Sequence, residues 1–186
     1  GKNIFRTGVE EGHCAEAEHF MAGVLDYTPE ITAFLNPLTN SYARFGEFEA
    51  PRYTTWSHQN RSQLIRIPAG KKEFNRMELR SPDPACNPYL ALTLILEAGL
   101  DGMEREMTLC PPTNRDMFEV AAGEDQAAYD RLPIRWRKRS TVRRIVPLPP
   151  GAARGIPVVL PALQAGGDAG DWPYGQPAAG GGGDVL

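Results

Sequence analysis

The sequence predicts an α+β fold, an antiparallel sheet backed by helices, followed by a disordered C-terminal tail. Three observations carry that expectation. Apolar residues recur at helical spacing before residue 36, short strand-like runs bounded by polar turns fill the middle, and a long apolar run opens at the proline after Asn87. Helices, then strands, then a helix favour helices packed behind one face of an antiparallel sheet rather than a strict alternation of the two.

The elements follow in chain order. In AEAEHFMAGVLDY, Phe20, Met21, Val24 and Leu25 fall on one helical stripe. Thr28-Pro29-Glu30 has the order of an N-cap, a first-turn proline and a first-turn acid, so a second short helix is expected to start there. It should stop at Asn36, because a residue before proline avoids the helical region. RYTTWS and QLIRIP read as two strands joined by the polar loop HQNR. In the second, Leu64 and Arg66 share one face and Ile65 and Ile67 the other. RMELR is a further strand, stopped by Ser81-Pro82-Asp83-Pro84. Asn87 then caps and Pro88 opens PYLALTLILEAGLDGM, with Gly99 and Gly102 towards its end. That helix is apolar nearly all round and is therefore expected to be buried.

A chain of 186 residues suits one domain with an appendage. Its net charge of −3 argues against a nucleic-acid partner. No apolar run spans a bilayer and no signal peptide opens the chain, so no membrane partner is expected. Cys14, Cys86 and Cys110 are odd in number and far apart, as reduced thiols of a cytoplasmic protein would be. His13, His19 and His58 match no metal-ligand pattern. Acidic residues fall away after residue 131: residues 1 to 131 hold 20 of them and residues 132 to 186 only 3. Residues 132–186 are rich in Gly, Pro and Arg without any period, which marks a low-complexity tail. Read one nucleotide later, LQAGGDAGDWPYGQ can encode CKRAEMRAIGRMDN, a charged and helix-prone peptide, so the sharper expectation is an out-of-frame tail.

The chemistry-bearing residues lie between the second helix and the apolar one. Arg44, Arg52, Arg61, Arg66, Arg76 and Arg80 are planar forks suited to phosphate and carboxylate, so together they would suit a nucleotide triphosphate beside a carboxylate substrate. Arg76, Glu78 and Arg80 alternate along one strand face and make a plus-minus-plus column about 13 Å long. Glu78 would repel bound anions unless Mg²⁺ or Mn²⁺ lay between them. Spacing alone favours a surface charge ladder contributing a few tenths of a kcal/mol per pair. In NSYARFGEFEAPRY, Gly46 offers a hinge, and Glu49 between Phe48 and Ala50 either closes over a ligand as acid or base or sits on an exposed turn.

Several long segments in fixed order resemble the C-terminal part of the glutamine synthetase catalytic domain: NPLTNSYARFGEFEAP, NRSQLIRIP, RMELRSPDPACNPYLALTLILEAGLDG and PPTNRDMF, within residues 1–131. The resemblance implies ATP-dependent ligation of ammonium to glutamate through γ-glutamyl phosphate, with Mg²⁺ or Mn²⁺, in large homo-oligomeric rings. It implies that Arg44 and Arg80 hold the substrate glutamate and that Glu49 is the flap acid that shields the intermediate and accepts a proton from ammonium. It further implies that Arg61 meets the transferring phosphoryl group, that Arg66 and Arg76 bind the nucleotide, and that Glu78 binds metal. The family's other metal ligands have no counterpart here, so this chain alone is expected to be inactive. Phe118 stands near the place where some members carry a modified tyrosine, so that modification is not expected. A γ-glutamyl ligase using amines or polyamines, and a non-catalytic remnant that only co-assembles, are the alternatives.

Overall fold

One helix, not two, precedes the strands. The computed structural model describes residues 3–5, 13–47, 49–68, 76–122 and 127–134. In it, α1 (Ala15–Leu35) runs unbroken through Pro29. Proline removes one backbone donor, yet Thr28 Oγ1 donates to Val24 O and Thr32 Oγ1 to Thr28 O, fastening the turns on either side. Both threonines are fully buried, as are Met21, Val24 and Leu35, so tertiary burial outweighs the proline penalty. The expected stop at Asn36 holds: its N–H closes on Thr32 O at 2.7 Å.

A 3₁₀ turn (Thr39–Arg44) leads to β1 (Trp56–His58), β2 (Ile65–Ile67) and β3 (Glu78–Leu79), then α2 (Pro88–Glu104) and α3 (Met117–Ala122). The α+β class is as expected, and the sheet is mixed rather than antiparallel. β2 pairs antiparallel with β3, Arg66 opposite Glu78, but β1 pairs parallel with β2, Trp56 opposite Ile65 and His58 opposite Ile67. The joining loop is no hairpin. Gln59 turns at φ 61° and donates to Ile67 O, and the chain doubles back until Ile65 N–H reaches Thr55 O. Parallel strands ordinarily need a crossover of about a dozen residues or more, and this pair of three-residue strands is joined by a shorter loop.

α2 begins as expected, with Asn87 Oδ1 accepting from the N–H groups of Tyr89 and Leu90 at 3.0 and 3.2 Å. It packs on α1 through a glycine contact. A Cβ on Gly102 would run into His19 O and the Gly23 backbone, and one on Gly23 would strike Ala98 O. The expectation of a wholly buried α2 fails. Ala91, Leu94, Ala98, Gly99 and Gly102 are covered, while Tyr89 is 82% exposed and Leu92 60%, with Leu96 and Leu100 also on the open side. Among the described residues α1 alone among the helices and strands packs extensively against α2, which leaves the opposite face uncovered.

The core joins Met21, Val24 and Leu25 of α1 to Trp56, Ile65 and Ile67 of the strands and to Leu64 just before β2, with Leu132 closing it. Beyond residue 134 the expected disorder and out-of-frame reading of the tail lie outside the described residues. No described helix is long and apolar enough to cross a membrane.

A polar lock fixes the end of α1 to the loop after β3. Arg44 Nη2 donates to Asn36 Oδ1 at 3.0 Å and to Ser81 O at 2.8 Å, and Arg44 Nε lies 3.5 Å from Asp83 Oδ2. Asp83 N–H in turn donates to Leu35 O. Burial pushes the Asp83 carboxyl up, but the Ala85 N–H, the Ser41 hydroxyl and the Arg44 guanidinium outweigh it and hold the group below its ordinary value of 3.8.

Two outcomes follow from this packing. Gly102→Ala should lower stability by about 1–3 kcal/mol in urea unfolding, whereas Leu92→Ala on the open face should change it by no more than about 0.5 kcal/mol; equal effects would contradict the glycine crossing. Because Asp83 is depressed in the folded state, its contribution is present above pH 3.8 and is lost as pH falls through the lower folded value. Asp83→Asn should therefore flatten the acid limb of the stability profile, and an unchanged limb would show the lock to be idle.

Candidate active site

Glu78 sits opposite Arg66 in the β2–β3 ladder, and that register sets the centre of the candidate site. Arg66 Nη2 lies 2.6 Å from Glu78 Oε2, and Arg66 Nε donates to the same oxygen at 2.9 Å. Arg76 Nη2 approaches the other oxygen at 3.6 Å. Arg80, at the end of the same run, lies 3.7 Å from Glu49 Oε2. The Arg66 and Arg80 side chains are 18% and 15% exposed, whereas Arg76 at 60% and Glu49 at 65% are largely in solvent.

Glu49 reaches Arg80 from a tight turn. Gly46, at φ 91°, donates to Ala50 O, and Ala50 N–H donates to Glu47 O. Glu49 itself stands at φ 61°, a left-handed conformation that costs a non-glycine residue about 1–2 kcal/mol. The turn thus presents the carboxylate to the arginines at some conformational cost.

Arg61 is displayed by a loop pinned from below. Asn60 Oδ1 accepts from both the N–H and the hydroxyl of Ser62, and buried Gln63 donates to Arg115 O at 3.0 Å. Ser62 Oγ also accepts from Met117 N–H, the first residue of α3. Ser62 and Gln63 turn inward while Arg61 is exposed.

The charges do not balance. Burial lowers the pKa of Arg80, and neighbouring Arg66 and Arg61 lower it further; Glu49 and Glu78 pull the other way and do not compensate. Arg80 Nη1 is buried and makes no hydrogen bond. Buried donors left over in a positive field are what an anion would satisfy.

Glu49, Arg61, Arg66, Arg76, Glu78 and Arg80 are thus brought into one electrostatic cluster, and Arg44 joins it at one remove through Ser81, the residue after Arg80. Arg52, which the sequence also raised, bonds through its backbone to Leu132 and lies beside Gly46. Sequence reasoning missed Asn36 and Asp83, the residues that hold Arg44. Local pattern marks Asn36 as a helix stop and Asp83 as part of a strand stop, and each does that as well. A divalent ion does not fit the described residues on their own. Glu78 is taken up by two arginines, and no three His, Cys, Asp or Glu among the described residues stand together as ligands.

Comparison with known proteins identifies the family. The family model for the glutamine synthetase catalytic domain matches residues 1–141. The chain is 45% identical over 126 residues to a glutamine synthetase of Methanosarcina mazei, covering 67% of this chain and 28% of that protein. It is 43% identical over 136 residues to one of Halobacterium salinarum, covering 72% and 30%. Among solved structures it is similar to a GmaS/ADP complex, with a TM-score of 0.63 and 33% identity over 73% of this chain and 31% of that one, and to GmaS without ligand, with a TM-score of 0.61 and 35% identity. The chain spans less than a third of the length of these relatives. With a catalytic-domain match over most of its length, this chain belongs to the glutamine synthetase family.

Proposed function

We propose that this chain carries the arginine-rich side of a centre that ligates ammonia to L-glutamate at the expense of ATP, through γ-glutamyl phosphate. The observation that supports it most is the uncompensated positive cluster around Arg80, with a buried donor to spare. Arg80 and Arg44 would receive the substrate's carboxylate. Arg44 is already oriented by Asn36, Ser81 and Asp83, so little freedom is lost when it binds. Arg61, Arg66 and Arg76 would take the nucleotide phosphates and neutralise the charge that spreads over the transferring group. Glu49 would cover the intermediate and accept the proton from ammonium.

Glu78, whose two oxygens face Arg66 and Arg76, would turn to an Mg²⁺ or Mn²⁺ ion only once those guanidinium groups engage phosphate, and every further ligand would have to come from outside the described residues. Docking into rings of full-length subunits, and a cytoplasmic setting in keeping with the three free cysteines, belong to the same proposal. A γ-glutamyl ligase for amines or polyamines is the second reading, and the likeness to GmaS leaves room for a related ligase. The higher identity to glutamine synthetases favours ammonia.

The test is a transplant. Residues 1–131 of this chain replace the matching segment of the Methanosarcina mazei enzyme, and activity is measured with ammonium and with methylamine. Glutamine formation is expected to be restored. Arg80→Ala in the transplant should then lower kcat/KM for glutamate about ten- to a hundredfold, the worth of one charge-assisted bond. The 186-residue chain alone should form no glutamine. Activity in that isolated chain, or an Arg80→Ala transplant as fast as its parent, would overturn the assignment.

A further inference from the structure

His13 and His58 are used by nothing in the proposed ligase centre. His13 precedes α1 by two residues and His58 ends β1, and the fold brings them face to face. Their Nε2 atoms are 3.1 Å apart, the ring planes differ by 6°, and the ring centroids are 5.2 Å apart. The nitrogens are closer than the centroids, so the Nε2 edges point towards each other. Trp56 meets both rings at centroid distances of 5.9 and 5.5 Å, and its own Nε1 is tied to Cys110 O at 2.7 Å. The pair is therefore set on a buried aromatic anchor.

Only one proton fits between two facing Nε2 atoms, so at least one ring presents a lone pair there. Two imidazole nitrogens that each lie about 2.0–2.1 Å from one tetrahedral ion would be separated by about 3.3 Å. The observed separation is within a few tenths of an ångström of that.

We propose that His13 and His58 form a two-imidazole site for a borderline transition-metal ion of the Zn²⁺ class. Each ring turns by about 35° from this head-on contact so that both lone pairs meet a tetrahedral ion, and water fills the other positions. The proton shared at Nε2 moves to Nδ1 of its own ring, so binding to the neutral pair releases none. Imidazole nitrogen selects Zn²⁺, Cu²⁺ or Ni²⁺ over Mg²⁺, which keeps this site chemically separate from the carboxylate chemistry of Glu78. It shares no residue with the arginine cluster and stands or falls independently of the ligase reading.

Zinc chloride titrated into the full chain at neutral pH, followed by calorimetry and by the imidazole ¹⁵N resonances, tests this. One equivalent should bind with micromolar affinity and shift the Nε2 signals of both rings. His13→Gln and His58→Gln should each weaken binding about tenfold or more, His13→Cys should retain it, and His19→Gln should leave it unchanged. Millimolar Mg²⁺ should not compete. Absence of saturable binding, Nε2 signals that stay in place, or affinity indifferent to both glutamine variants would overturn the site and leave the pair as a shared-proton contact only.

Discussion

The candidate site depends on one cross-strand contact, the ion pair between Arg66 and Glu78. It fixes β3, a strand of two residues, against β2 and thereby sets where the run from Arg76 to Arg80 lies. Glu78 holds two guanidinium groups close together while satisfying neither completely. Arg80 next to them pairs with Glu49, which stands on a strained turn. Repulsion among the arginines is thus offset by just enough carboxylate to let the chain fold. An incoming anion can take over what the carboxylates do.

The scaffold behind this cluster has two joints. The glycine crossing of α1 and α2 brings backbone against backbone, which sets the helices at a separation no larger side chain would allow. The Arg44 lock then ties the far end of α1 to the loop that follows β3. Both the cluster and its support run through Arg80 and Ser81, so the position of the guanidinium groups is inherited from helix packing several residues away. A folded scaffold of this kind needs little rearrangement to receive a ligand.

Local chemistry was legible in the sequence and long-range geometry was not. Asn87 as a cap, Asn36 as a stop and the shared face of Glu78 and Arg80 follow from side-chain hydrogen bonding and strand period alone. The helix break expected at Pro29 was wrong because burial of Thr28 and Thr32, which no local pattern reveals, holds α1 together. The parallel pairing of β1 with β2 was hidden because a short polar loop ordinarily signals a hairpin, and only the turn at Gln59 reverses that. The open face of α2 was hidden too: an apolar helix says that it wants covering, not what covers it. For the site, the arginine-rich composition was visible, whereas the facing of His13 and His58 across 45 residues has no sequence signal at all.

The central claim is that Glu78 stands in for an anion among the arginines, and its most direct test is a change of sign. Tripolyphosphate is titrated calorimetrically into the chain and into Glu78→Gln, without divalent metal. Removing the resident carboxylate frees Arg66 and Arg76, so the variant should bind more tightly, by about fivefold, equivalent to roughly 1 kcal/mol. Equal or weaker binding by the variant would mean that these guanidinium groups do not converge on a common anion.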